Sequence, residues 1–257
     1  MPTTIETQTS EAALARSAAY GLLAHVLRYP DEKMWSRLSD RARWTAWPEV
    51  LAAIDLPLGD AVRALQASLF SPDPRQAFGF SDVQETYSVL FSHTVKGACP
   101  AYELEYGASE VFRRSAELSD IKGFYSAFGL EITDTTHERP DHVSIECEFM
   151  SVMAAKEAYA LEHTEAPGVE IIRNAAAHFL SSHIGQFLPS FARRIQEADV
   201  DGFYAAVGAF AAALIHFDCA NHDVPTGPEL LELRPVDEKE EREQTCAPMD
   251  VGCDTSS

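Results

Sequence analysis

The sequence predicts an all-α fold, and two observations carry that expectation. Apolar residues recur at spacings of three and four along most of the chain, which places them on one face of a 3.6-residue helix. Nowhere do four to eight β-branched or aromatic residues alternate with polar ones between turn signals, the pattern of a half-buried strand. The chain has 257 residues, 46% hydrophobic and 10% aromatic, enough for one substantial core. It shows no repeat of fixed period and no clear internal boundary. The expectation is a single bundle-like domain over residues 10–220, with about ten helices.

Ser10 reads as the N-cap of a first helix whose apolar positions Leu14, Ala18, Leu22 and Val26 form a stripe, and which stops before Pro30. Short helices follow near residues 31–39 and 60–70, separated by a stretch, 44–57, with two prolines. Ser81 and Gln84 have capping-box spacing ahead of Val83, Tyr87, Leu90 and Phe91. After the loop TVKGACPAYE, a helix over 109–128 stops at Gly129, a residue suited to a helix C-cap. Pro140 has no N–H to leave unpaired and fits the first helical position of the next, which runs to His163.

Helices over 168–185, 187–197 and 200–220 complete the bundle. Small residues in FYAAVGAFAAALIHF let neighbours approach closely and place the last helix inside it. Residues 129–139 read as a hinge. From 221 to 257 the composition turns to proline, glycine and charge, with the run VDEKEEREQ, and reads as a mobile acidic tail.

Lys and Arg number 20 against 40 Asp and Glu, a formal net charge of -20. Phosphate binding needs concentrated positive charge, so nucleic acid is excluded as a partner class. A basic peptide or a cationic protein patch is what such a field attracts. The N-terminal stretch lacks a basic region before its apolar part, and Glu11, Arg16 and His25 interrupt that part, so it reads as neither signal peptide nor membrane span. The five cysteines, Cys99, Cys147, Cys219, Cys246 and Cys253, include no CxxC; an odd, widely spaced set points to a reducing compartment, the cytoplasm.

The segment ERPDHVSIECEFM, residues 138–150, begins a helix with an excess of charge. Glu138 and Asp141 at the positive end of a helix macrodipole need no further explanation. His142 does, because it falls on the stripe of Ile145, Phe149, Val152 and Met153, with Glu146 one turn on and able to pair with it. Either it is a satisfied core histidine or it is functional. With Asp141 and Glu138 at the same mouth, the combination suits a binding site: carboxylates for guanidinium groups and a switchable imidazole.

ERPDHVSIECEFM resembles the signature of the TorD/DmsD family, cytoplasmic chaperones that mature molybdenum oxidoreductases of the dimethyl sulfoxide reductase type. CPAYELEYG resembles a second family signature, and DIKGFYSAFGLE, with Phe124, Tyr125, Phe128 and Gly129, the helix between them. The resemblance spans residues 14–220; it departs at Cys147 and leaves the tail, with Cys246 and Cys253, outside.

It implies an all-helical binding protein without turnover, whose partners are the apo catalytic subunit of a molybdoenzyme and its twin-arginine signal peptide, held until the cofactor is inserted. The family's Asp-His pair falls on Asp141 and His142, its tyrosine-glutamate signature on Tyr102, Glu103 and Tyr106, with Glu105 an additional acid. With Glu138, Arg139, Pro140 and Glu146 these make the candidate site, whose carboxylates would form an acidic mouth for arginines beside an apolar groove. No resident cofactor or metal is expected; transient contact with molybdenum cofactor or a nucleotide stays open, as does monomer against dimer.

Two other classes compete. A metal enzyme could use His142 and Glu146, or His216, Cys219 and His222 in HFDCANH; the bland alternative for the latter is histidines at the negative end of a helix. No di-iron ExxH pattern and no GxSxG elbow is present. A generic acidic helical interaction protein would satisfy the charge equally well, but not the two signatures flanking a hinge.

Overall fold

The computed structural model describes residues 9–47, 50, 56–71, 78–91, 98–107, 114–132, 138–200 and 202–234. Among them are nine α-helices: α1 (Ser10–Val26), α2 (Glu32–Leu38), α3 (Leu56–Leu69), α4 (Phe80–Phe91), α5 (Arg114–Ala127), α6 (Val143–Glu162), α7 (Ala166–Ser182), α8 (Ile184–Ala198) and α9 (Phe203–Asn221). Two 3₁₀ turns, Arg41–Ala46 and Glu103–Glu105, join them. The fold is all-α, as the hydrophobic period requires. Helix α6 lies along α1, α9 lies between α8 and α3, and α7 bridges α6 and α8. Tyr20, Phe149, Phe179, Phe187, Phe191, Phe203, Tyr204 and Phe210 are wholly buried between them.

The first helix differs from its expectation in cap and in face. Thr9 is the N-cap and accepts from the Ala12 N–H at 3.2 Å, so Ser10 is the first helical residue. Leu14 is 48% exposed, while Arg16, Tyr20 and Leu23 are buried. The buried face carries a charge because Arg16 has partners waiting: it pairs with Asp218 at 3.0 Å and with Glu157, and Tyr20 donates to Asp218 at 2.9 Å. A buried charge is tolerated only when paired in this way.

Local chemistry sets the other ends. Asp82, not Ser81, caps α4 by accepting from the Gly79 N–H at 2.8 Å, and Gln84 instead donates to the Pro30 carbonyl at 2.9 Å. Helix α5 ends in a Schellman arrangement: Gly129 has φ +74°, its N–H donates to Ser126 O, and the Leu130 N–H donates to Tyr125 O at 2.9 Å. Of the expected hinge, residues 133–137 lie outside the described residues.

Gly208 lets α8 and α9 approach, since a Cβ there would stand 2.7 Å from Ala192 O. Helix α9 is long and apolar enough to cross a membrane; a little over half of it (56%) is buried inside the bundle.

Residues 222–234, expected to be mobile, are packed across α8. Pro189 lies inside α8 and has no N–H for the Gly185 carbonyl four residues back. The Gly227 N–H takes that place at 2.9 Å. Leu231 N–H donates to Ser190 Oγ at 3.0 Å, and Arg194 donates to Leu231 O at 2.8 Å. The segment ends at the second 3₁₀ turn, where Arg234 N–H donates to Glu105 O and Gly107 N–H to Glu232 O. Residues 235–257, with Cys246 and Cys253, lie outside the described residues.

Candidate functional site

Main-chain bonds join the two signature segments into one corner. Glu103 N–H donates to Asp141 O at 2.9 Å, Val143 N–H donates to Ala101 O at 2.8 Å, and Tyr102 and His142 form an antiparallel β-bridge. The turn that precedes α6 closes through His142 N–H to Arg139 O at 3.0 Å. Pro140 therefore sits in that turn, not at the first helical position, and its carbonyl accepts from Tyr125 at 2.9 Å. The helix starts at Val143 with His142 as N-cap.

This start decides the histidine's partners. His142 Nδ1 accepts from the Ser144 N–H at 3.2 Å and lies 2.8 Å from Ser144 Oγ. An N–H can only donate, so the neutral ring carries its proton on Nε2, which faces Glu138 at 3.9 Å. The expected pairing with Glu146 is absent because the capping ring turns back toward the preceding turn. His142 is 2% exposed, and burial lowers its pKa against the opposing pull of Glu138 and Asp141.

The acids expected at the mouth separate into four environments. Asp141 has no exposed surface; Arg139 grips it with Nε to Oδ1 at 2.9 Å and Nη2 to Oδ2 at 2.6 Å, and the Leu104 N–H also donates to it. Arg139 stacks over the Tyr102 ring and reaches Glu105, which Arg114 pairs at 2.7 Å. Glu105 and Asp141 are thus neutralised from within. Glu138, about one third exposed, accepts from Tyr102 at 2.6 Å; burial and that bond raise the tyrosine pKa. Glu103 borders a cleft. Glu146 is fully buried behind the corner. Tyr106, also buried, donates to Pro100 O at 2.9 Å.

Two hollows flank the corner. One, of about 590 Å³, is lined by Glu103, Tyr106, Glu117, Asp120, His183 and Arg234 among others. The other, of about 320 Å³, is apolar, with Tyr125, Leu130, Ile132, Ile145, Phe149 and Val152, and has Arg28 and Glu148 at its edge, paired with each other.

The residues that sequence reasoning missed are His183 and Asp120. His183 Nδ1 meets Glu103 and Nε2 meets Asp120, each at 3.2 Å. Burial alone would lower the imidazole's pKa, but its two carboxylate partners raise it above the ordinary value. Its place at the break between α7 and α8 carries no motif; only the 80-residue separation closed by folding reveals the contact.

The alternative metal set does not converge. Arg16 donates to His222 Nε2 at 3.0 Å, His216 is exposed, and Cys219 is buried with its pKa lifted to about 11. Among the described residues no group of three His, Cys, Asp or Glu is placed to hold a metal ion. Cys147 is a buried thiol held well above its usual pKa by burial and by Glu146.

Residues 51–193 match the family described as nitrate reductase delta subunit. The chain is 26% identical over 208 residues to the selenate reductase assembly chaperone protein of Thauera selenatis, covering 78% of this chain and 86% of that one. It is 25% identical over 202 residues to the chlorate reductase assembly chaperone protein of Ideonella dechloratans, with the same coverage. Over 98 residues, 38% of this chain and 43% of the other, it is 31% identical to the chaperone protein TorD of Vibrio cholerae. With a family match across more than half its length, including both signature segments, the chain belongs to the nitrate reductase delta subunit family, the TorD family of reductase maturation chaperones.

Proposed function

We propose that this protein is a cytoplasmic chaperone, not an enzyme, that binds the apo catalytic subunit of a molybdenum-containing reductase together with its twin-arginine leader and assists cofactor insertion before export. The observation that carries this reading is the corner itself. Main-chain bonds seat Tyr102 and Glu103 against Asp141 and His142, between a cleft bordered by Glu103 and Asp120 and an apolar hollow bordered by Phe149. A leader offers the complementary pair, guanidinium groups and an apolar segment. Three relatives named as assembly chaperones of selenate, chlorate and perchlorate reductases support the class of client. On this reading the molybdenum cofactor belongs to the client, and any contact with it or with a nucleotide is transient.

Calorimetric titration with a synthetic leader peptide tests the proposal. Stoichiometric binding is expected, weakened by Glu138→Gln and by added salt, which screens exposed charges. A leader that does not bind, combined with no reductase subunit recovered alongside the tagged protein from its host, would overturn it.

A further inference from the structure

Glu146 is an acid of the corner with neither exposed surface nor a hydrogen-bond donor among the described residues. It stands in the first turn of α6 with no exposed surface. Around it are Glu103 from the 3₁₀ turn, Asp141 from the turn before α6, Tyr125 from α5 and Cys147 on its own helix. Among the described residues none of these neighbours is a cation, and Arg139 gives its hydrogen bonds to Asp141 and Glu105. As carboxylates, both Glu146 oxygens and Glu103 Oε2 are buried acceptors without a donor among the described residues, and burying an unpaired ion in this way is strongly unfavourable. A single proton removes the conflict, because Glu146 and Glu103 lie within hydrogen-bonding reach.

We infer that Glu146 is a positioning residue held as a neutral carboxylic acid, whose proton bridges to Glu103 and latches the 102–106 turn onto α6. Glu146 O–H donates to Glu103 Oε2, while Glu103 Oε1 accepts from the His183 imidazolium, whose Nε2–H is met by Asp120. Asp120 is 63% exposed, so the chain runs from the core to solvent, and one negative charge rather than two faces the interior. Burial first, then the Glu103 charge, push the Glu146 carboxyl well above its ordinary value. Loss of the proton to solvent leaves two buried carboxylates against each other, and the turn that carries Tyr102, Glu103 and Tyr106 is released. This latch does not depend on what the neighbouring cleft binds.

The test is urea denaturation of the full chain across pH, for the wild type and for Glu146→Gln, which keeps a neutral donor to Glu103 but cannot titrate. A raised folded-state pKa contributes stability that is present in full below the ordinary glutamate value and lost as pH rises through the raised one. Between the ordinary glutamate value and that raised value, the folding constant of the wild type should fall about tenfold per pH unit relative to Glu146→Gln, and the two curves should run parallel again above it. The comparison cancels the contribution of His183, common to both. Curves parallel across the whole range would overturn the inference.

Infrared difference spectra of the wild type supply an independent reading. A carboxylic acid carbonyl band should persist at neutral pH, shift in deuterium oxide and move in Glu103→Gln. Absence of that band would sink the proposal even where Glu146→Gln fails to fold.

Discussion

Arg139 closes a two-pronged bond on Asp141, with distances of 2.9 and 2.6 Å, while Asp141 has no exposed surface and Arg139 keeps about a third of its own. An aspartate at a charged helix start looks available to an incoming arginine. Here it already holds one, supplied by the chain two residues earlier.

Asp141→Ala should therefore cost stability and not only binding. The variant strands the Arg139 guanidinium and leaves the Leu104 N–H without its acceptor. A loss of about 3 kcal/mol is expected, the lower end for breaking a buried pair because Arg139 is partly hydrated. Urea unfolding checks it. A change within about 0.5 kcal/mol, ordinary for a surface substitution, would show that the pair contributes little and restore Asp141 as a free ligand for a peptide.

His142 sets an acid limb. Its folded-state pKa is lowered from the ordinary 6.5, so the unfolded chain binds the proton first. The stability this confers is present above 6.5 and is lost as pH falls through that value toward the lowered one. His142→Asn keeps a side chain able to cap Ser144 N–H and cannot titrate. Thermal melts of both proteins from neutral to mildly acidic pH should diverge, the wild type falling faster. His222, also lowered in pKa, contributes to both curves and cancels.

Two glycines should respond oppositely to the same substitution. A Cβ on Gly208 would meet the Ala192 carbonyl at 2.7 Å, and a helix backbone cannot move aside locally, so Gly208→Ala should destabilise by about 1–3 kcal/mol. Gly123 is exposed in α5, with nothing within 4 Å of an added Cβ. Gly123→Ala should stabilise by about 0.5–1 kcal/mol through restricted backbone freedom. Differential scanning calorimetry decides both, and equal signs would refute the packing argument for Gly208.

Much of the scaffold is legible because helices are local. The spacing of Val83, Tyr87, Leu90 and Phe91 predicts α4, and all four are buried. Gly129 is the C-cap that its residue type suggests. The reading falters where polar residues go inside. In α1 the stripe drawn through Leu14 is displaced by one that includes Arg16, since hydropathy counts an arginine as outward-facing until its two acids are found. Those acids, Glu157 and Asp218, stand 141 and 202 residues away. At α6 the helix start is displaced from Pro140 to Val143 because Arg139 and His142 close a turn first.

Sequence alone determined the all-α class, most helix spans, the acidic balance and the two signature segments, because periodicity, caps and motif spacing are written in neighbouring residues. Only the tertiary structure decided which acids are free. Arg139 and Arg114 neutralise Asp141 and Glu105, Tyr102 engages Glu138, and Glu103 is set between His183 and Glu146. The physical reason is that a carboxylate's charge state and reach depend on burial and on the partners within about 4 Å, and those partners are brought together by packing rather than by order along the chain.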